Sequence, residues 1–246
     1  MDKVNQQLLS KDQIKAFYHD LFVESQTEDF ISLLGPSINK IDGKIFDIGG
    51  GAGFFAQAIK HRLGMNVTVL DSDEQSILLC RASGIDAIVA DALNPLISES
   101  CDVVCFNLIL HHLVGETEQE TLDLQSRALS LWKSNAHAVF VNEYIYDSFI
   151  INDISGWLIY RITSNRLLSK FGRAVANYIP SLMANTFGVG VRFRSQAEWQ
   201  RIFVSLGFEI VGTVKGSEEG ISLARRLLLI KSCRRDSFLL KPLRSN

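Results

Sequence analysis

The sequence predicts an α/β fold, a doubly wound and mainly parallel seven-stranded sheet that ends in an antiparallel hairpin. Three observations carry this prediction. From residue 44 onward, short apolar runs alternate with helical stretches, the rhythm of strands laid side by side with helices crossing between them. The runs are apolar almost without interruption, as in strands buried on both faces. The last two runs are joined by Lys215-Gly216-Ser217-Glu218-Glu219-Gly220, too short for a crossover helix, so this pair is antiparallel.

Each element follows in order. Residues 12–34 place Ile14, Phe17, Tyr18, Leu21, Phe22, Phe30, Ile31, Leu33 and Leu34 at helical spacing, in two pieces broken near Ser25-Gln26-Thr27 and ended by Gly35-Pro36. Ile45 to Ile48 is a strand and 53–63 a helix; Val67 to Leu70 is a strand and 73–83 a helix. Ile85 to Val89 is a weaker strand, Asp102 to Phe106 a strong one before a helix over 117–132, and Ala138 to Val141 the fifth. Residues 147–190 break the rhythm with an amphipathic helical pattern. A helix over 195–206 follows, then strands at Phe208 to Val211 and Ala224 to Ile230. With no Gly/Ser-rich linker, this reads as a single domain, 1–246. It comprises N-terminal helices (1–40), the first part of the sheet (41–146), a helical insertion (147–194), the last helix and hairpin (195–233), and a basic, loosely held tail (234–246).

The net charge of −2 gives no overall pull toward nucleic acid. No apolar signal core or bilayer-length stretch is present, and the four cysteines (Cys80, Cys101, Cys105, Cys233) lack metal or disulfide-ladder spacing. Together these predict a cytoplasmic protein with no membrane span and no metal.

The chemistry concentrates in Asp47-Ile48-Gly49-Gly50-Gly51-Ala52-Gly53, where a strand enters a glycine loop and then a helix. Bare amides and a positive helix end suit an anionic or nucleoside ligand. Gly51 to Ala56 also matches a GxGxxA dinucleotide pattern. Asp71 closes the next strand, 20 residues after Gly51, where an acid accepts both ribose hydroxyls of an adenosine ligand. Asp71, Ser72 and Asp73 also suit a helix N-cap, Asp73 best. These residues indicate a nucleoside cofactor without choosing between dinucleotide and S-adenosylmethionine.

The ordered series resembles the class I, seven-stranded, Rossmann-like S-adenosylmethionine-dependent methyltransferase family, of the small-molecule type. Asp47, Gly49, Gly51 and Gly53 reproduce its acidic-GxGxG motif. Asp71, Ala90-Asp91-Ala92 and the segment Asp102 to His112 take the places of the following three, and the match spans about residues 40–145 and 195–232. The resemblance implies that Gly49 and Gly51 flank the methionine portion and Asp71 holds the ribose. It sets Ser72 against the adenine and Asp91 and Ala92 at its polar edge, with Asn107 and Leu108 bordering the sulfonium. Asp91 suits a turn before Pro95 equally. Tyr18 and Phe22 either close over the cofactor or pack in the core.

His111 is the candidate general base, because a hydroxyl nucleophile benefits from a base that titrates near neutrality. The alternative is that His111 and His112 only shape the loop. Glu143, with Asn142 and Tyr144, ends the fifth strand, where it binds an acceptor group or is simply solvated. The insertion falls where family members build a substrate cover, which nominates Trp157, Tyr160, Arg161, Phe187 and Arg192 beside His112 and Tyr144 as substrate-binding residues. Core packing or a homodimer contact through 147–194 accounts for the same residues.

These readings converge on S-adenosylmethionine-dependent methyl transfer to an oxygen, nitrogen or carbon of a small, fairly apolar molecule, with a secondary metabolite as one such acceptor. An NAD-dependent oxidoreductase and a non-catalytic S-adenosylmethionine-binding scaffold or regulator are the alternatives. The first lacks a Tyr-x-x-x-Lys pair. A nucleic-acid methyltransferase lacks support in the Asn107-Leu108-Ile109 sequence, which is no Asn-Pro-Pro-aromatic motif.

Overall fold

The computed structural model describes residues 21–35, 44–97, 99–151, 153–165 and 190–243. Helix α1 (Leu21–Leu34) leads into β1 (Ile45–Ile48), α2 (Phe54–Leu63), β2 (Val67–Asp71), α3 (Glu74–Ala82), β3 (Ala87–Val89) and β4 (Cys101–Asn107). A 3-10 turn (Leu110–His112) precedes α4 (Glu118–Ser130), β5 (Ala136–Ser148) and α5 (Ile154–Ser164). The chain then runs through α6 (Gln196–Ser205), β6 (Phe208–Lys215), the short α7 (Leu223–Arg226) and β7 (Ile230–Pro242).

The seven strands form one sheet in the order β3-β2-β1-β4-β5-β7-β6. Strands β1 to β5 pair in parallel, while β7 is antiparallel to both β5 and β6. Alternation along the strands sends side chains to two cores. Phe46, Ile48, Val104, Phe106, Val139 and Val141 meet Leu129 and Trp132 at the end of α4 and just beyond it, and Trp199 and Phe203 of α6. Ile45, Val69, Val103 and Phe140 meet Phe30 of α1, Phe55 and Ile59 of α2, and Ile77 of α3. Phe30 stands edge-on to both Phe55 and Phe140, at 5.5 and 5.3 Å between centroids, which clamps α1 and α2 onto the sheet.

Local chemistry starts the helices where the pattern predicts. Asp73 caps α3 by accepting from the amides of Gln75 and Ser76. Thr117 with Glu120, and Ser195 with Glu198, form reciprocal capping boxes on α4 and α6.

Several boundaries differ from the sequence reading. Residues 21–34 are one unbroken helix; the stretch before it lies outside the described residues. Strand β5 runs well past Val141, so Asn142, Glu143 and Tyr144 lie within it and not at its end. The largest correction concerns residues 224–242. The apolar run Ala224 to Ile230 is a helical turn (Leu223–Arg226) and a tight turn that delivers Ile230 as the first residue of β7. The segment from Arg234, expected as a loose tail, is most of β7, inserted between β5 and β6. The charge of Arg234 is satisfied internally: it donates to Asp236 at 2.9 Å and to Asp147 at 2.6 Å.

Candidate active site

The carboxyl ends of β1, β2 and β4 meet along one edge of the sheet, the place where open parallel sheets bind ligands. Strand β1 delivers Asp47, wholly buried, just before the glycine loop. Asn107, at the end of β4, donates its side-chain amide to Asp47 Oδ1 at 3.0 Å. Two acceptors then remain buried with no donor among the described residues, Asp47 Oδ2 and Asn107 Oδ1. Burial pushes the Asp47 carboxyl up to about 7, the nearby Asp71 charge adds to this, and the Asn107 hydrogen bond opposes it.

Asp71 ends β2 and ties the loop to that strand. Its Oδ2 accepts from the Gly51 amide and its Oδ1 from the Asp73 amide, both at 2.9 Å. Burial holds its carboxyl above the ordinary range. Gly53, the N-terminal flank of α2, leaves the first helical amides without a side-chain cap. Gly49 has φ +68°, and a Cβ there would overlap the Ile109 side chain. Gly51 has φ +54° with open space where its Cβ would stand. The glycines are therefore needed for different reasons, close packing at Gly49 and open approach at Gly51.

Ser72 is exposed after β2. Asp91 is exposed too, and its Oδ1 accepts from the Leu93 amide at 2.8 Å, so it does the work of a turn residue with Ala92 half-buried inside the turn. Leu108 takes φ +55°, unusual for a bulky residue, and is held there by its amide's bond to Asn142 O at 2.8 Å. Tyr18 lies outside the described residues.

Beyond Leu108 the 3-10 turn sets down the two histidines. His111 Nδ1 is 2.7 Å from Glu143 Oε2, and Glu143 Oε1 accepts the Leu110 amide at 2.6 Å. Glu143 is wholly buried, so it faces no solvent and no acceptor; it holds His111 from beneath. No hydrogen bond is made by His111 Nε2 among the described residues. His112 stacks on His111 at 4.1 Å and is solvent-accessible, yet surrounding protein and the His111 charge hold it well below the ordinary histidine value. Its ring is therefore neutral.

An aromatic wall continues from this pair. Phe193 stacks on His111 at 4.9 Å and on Tyr146 at 4.4 Å, and Tyr144 stands edge-on to His111 at 6.0 Å. Burial pushes the Tyr144 phenol up to about 12 and Tyr146 higher still, so both stay neutral. Sequence reasoning misses Tyr146 and Phe193. Tyr146 is within its reach, since a residue two positions beyond Tyr144 shares its face of a strand. Phe193 is not, because its position depends on a backbone bond between Arg192 N and His111 O, 2.9 Å long.

The insertion contributes less than expected. Trp157 is 42% exposed, with Arg161 5.7 Å over its ring, and neither belongs to the aromatic wall. Tyr160 is buried and donates its hydroxyl to Gly115 O at 3.0 Å. Phe187 lies outside the described residues. Arg192 is 3% exposed and committed to Glu118 at 2.9 Å and Glu198 at 2.8 Å, beside Arg194, which bonds the same two acids. Arg192→Ala is therefore expected to destabilise the fold by about 3 kcal/mol, as when one partner of a buried pair is removed. Urea denaturation checks this; unchanged stability with a raised KM for the acceptor would return Arg192 to a substrate role.

Residues 46–132, from β1 through α4, match the family model described as a methyltransferase domain. This stretch, with the glycine loop and the strands after it, is the part of the chain that resembles a methyltransferase domain. The fold of the chain is similar to that of magnesium protoporphyrin IX methyltransferase from Synechocystis PCC 6803 with bound SAH. That similarity has a TM-score of 0.57 at 12% identity over 97% of this chain and 90% of that one. An S-adenosylmethionine-dependent methyltransferase from Clostridium acetobutylicum ATCC 824 gives 0.57 at 9% identity, over 92% and 94%. The mitomycin 7-O-methyltransferase MmcR gives 0.55 at 14% identity, over 94% of this chain and 58% of that one. No curated protein sequence matches the chain. No helix among the described residues is long and apolar enough to cross a membrane.

Proposed function

We propose that this methyltransferase transfers a methyl group to a hydroxyl oxygen of a small, fairly apolar acceptor, with His111 as the general base. The observation that carries the reading is the His111–Glu143 pair at 2.7 Å, with Glu143 wholly buried and the opposite ring nitrogen free of hydrogen bonds among the described residues. The fold similarity to a mitomycin 7-O-methyltransferase is consistent with an oxygen nucleophile.

The residues at the sheet edge fit the cofactor. Asp47 Oδ2 and Asn107 Oδ1 are buried acceptors in want of a donor, and the ammonium of the methionine portion is such a donor. Gly51 leaves room for a close approach, and Asp71, already bonded to two amides, keeps lone pairs for the ribose hydroxyls. Gly49, Gly53, Ser72, Asp91, Ala92 and Leu108 complete this assignment along the same edge. S-adenosylmethionine supplies an electrophilic methyl group on a sulfonium when bound.

The chain's own groups do the rest. Glu143 accepts from Nδ1–H of His111, which leaves Nε2 as the base and stabilises the imidazolium that forms. His111 Nε2 takes the hydroxyl proton as the acceptor oxygen turns nucleophilic. Phe193, Tyr144 and Tyr146 exclude water from that oxygen and hold a flat, apolar body against the wall. Neutral His112 offers a hydrogen bond without a competing charge.

Gly51→Ala separates cofactor binding from folding. A Cβ at φ +54° costs about 1–2 kcal/mol in stability but meets no atom of the described residues within 4 Å. A loss of S-adenosylmethionine affinity of at least tenfold by calorimetry, with only a few degrees lost in Tm, is expected. Unchanged affinity would remove Gly51 from the cofactor site.

A further inference from the structure

Four arginines lie buried or half-buried between the upper ends of β5 and β7 and the segment before α6, and three have their charges met. Arg192 and Arg194 share Glu118 and Glu198, and Arg234 binds Asp147 and Asp236. The fourth is Arg235. It pairs with Tyr144 in the antiparallel β5–β7 register, so both side chains stand on the sheet face that α1 covers. Its guanidinium carbon lies 4.1 Å over the ring of Phe22 on α1. Among the described residues its buried Nη1 has no hydrogen-bond partner, and no carboxylate comes within 4 Å of the group.

The nearby acids are engaged elsewhere. Asp236 points to the opposite face, where it accepts from Arg234 and from the Gly216 amide. Asp29 feels the Arg235 charge but accepts the Ser237 hydroxyl, at 2.6 Å. Glu219 accepts the Cys233 thiol at 3.9 Å and faces Arg225 at 3.8 Å. A buried guanidinium edge without an acceptor is rare, because such groups are normally hydrogen-bonded. Stacking on Phe22 fixes the plane of the fork and leaves its edge available for a planar oxyanion, which a guanidinium grips with two parallel bonds. Tyr144, the register partner of Arg235, has its ring 6.0 Å from that of His111.

We propose that Arg235 is the anion anchor of the acceptor pocket, so that the acceptor is a hydroxylated small acid held by its carboxylate at Arg235 and by its hydroxyl at His111. This rests on the reading of His111 as the acceptor-side base. It narrows the substrate class to molecules with an aromatic or apolar body and one oxyanion, and it makes Arg235 a specificity-determining residue.

The test uses the full chain with S-[methyl-3H]adenosylmethionine and a metabolite extract split by anion exchange into anionic and uncharged fractions. Tritium is expected in products of the anionic fraction. Against that fraction, Arg235→Gln raises KM at least 30-fold with kcat within threefold of wild type, and Arg235→Lys recovers part of the loss. Calorimetry with S-adenosylhomocysteine serves as the folding control, with both variants binding as wild type does. Label arising in the uncharged fraction, or a KM that Arg235→Gln leaves in place, overturns the anchor while the His111 reading stands. Label in no fraction, with S-adenosylhomocysteine still bound, overturns the acceptor pocket and the anchor together.

Discussion

Replacing His111 with alanine is expected to lower kcat by about 10²–10⁴-fold, the usual contribution of a positioned general base, while S-adenosylmethionine affinity stays within about twofold of wild type. Glu143→Gln is expected to lose about 10²-fold, because the wrong ring tautomer becomes available when the carboxylate is gone. The readout that a merely structural role would not move is rescue. Free imidazole added to the alanine variant occupies the space between His112 and Phe193 and restores part of the rate. A rate within tenfold of wild type, or a loss that imidazole leaves untouched, would make the pair a structural brace for the Leu110 turn.

The second large effect belongs to Asp47, where stability and binding oppose each other. Its folded-state carboxyl titrates at about 7, above the ordinary 3.8, because burial disfavours the charged form. The acid form therefore stabilises the ligand-free fold below pH about 4, and that stabilisation is lost as pH rises through about 7. Asp47→Asn removes the charge and keeps the shape, so at pH 8 the ligand-free variant should be more stable than wild type by on the order of 2–4 kcal/mol. It should also lose most cofactor affinity, since an ammonium prefers a carboxylate. In the wild type the cofactor requires the charged form, so affinity falls by up to tenfold per unit below pH about 7 and is flat above it. Urea denaturation at pH 5 and 8 with calorimetry at pH 6, 7 and 8 checks both halves. A less stable variant at pH 8, or one that binds S-adenosylmethionine normally, would take Asp47 out of this role.

The backbone of the glycine-loop edge was legible in the sequence because local signals encode it. Glycine at 49, 51 and 53, an acid inside a buried strand, and Asp71 after the next strand are each required by the backbone they sit on. The acceptor side was legible only in part. His111, His112 and Tyr144 stood out as residue types, but Glu143 reads as a solvated acid until the length of β5 is known. The end of the chain misled for two physical reasons. Leu227, Leu228, Leu229 and Ile230 form an apolar run like a strand, yet Leu227 is mostly exposed and Leu229 turns the chain at φ +58°. Arg234, Arg235, Asp236 and Lys241 look like a solvated tail, because sequence does not reveal that Asp147 lies in wait for Arg234. Charge neutralised by a partner 87 residues away leaves no local trace.

The placement of β7 has a consequence for how the molecule assembles. In chain order β5 and β6 are both made before it, yet β5 finds its second neighbour in the sheet, and β6 its sole one, in β7. On the ribosome the cofactor edge, built from β1 to β4, can therefore form while β5 still shows an open flank to the cell. Until residues 230–242 thread into that gap, the nascent chain holds an adhesive edge and lacks Arg235. In chain order the glycine-loop edge thus precedes the proposed acceptor anchor.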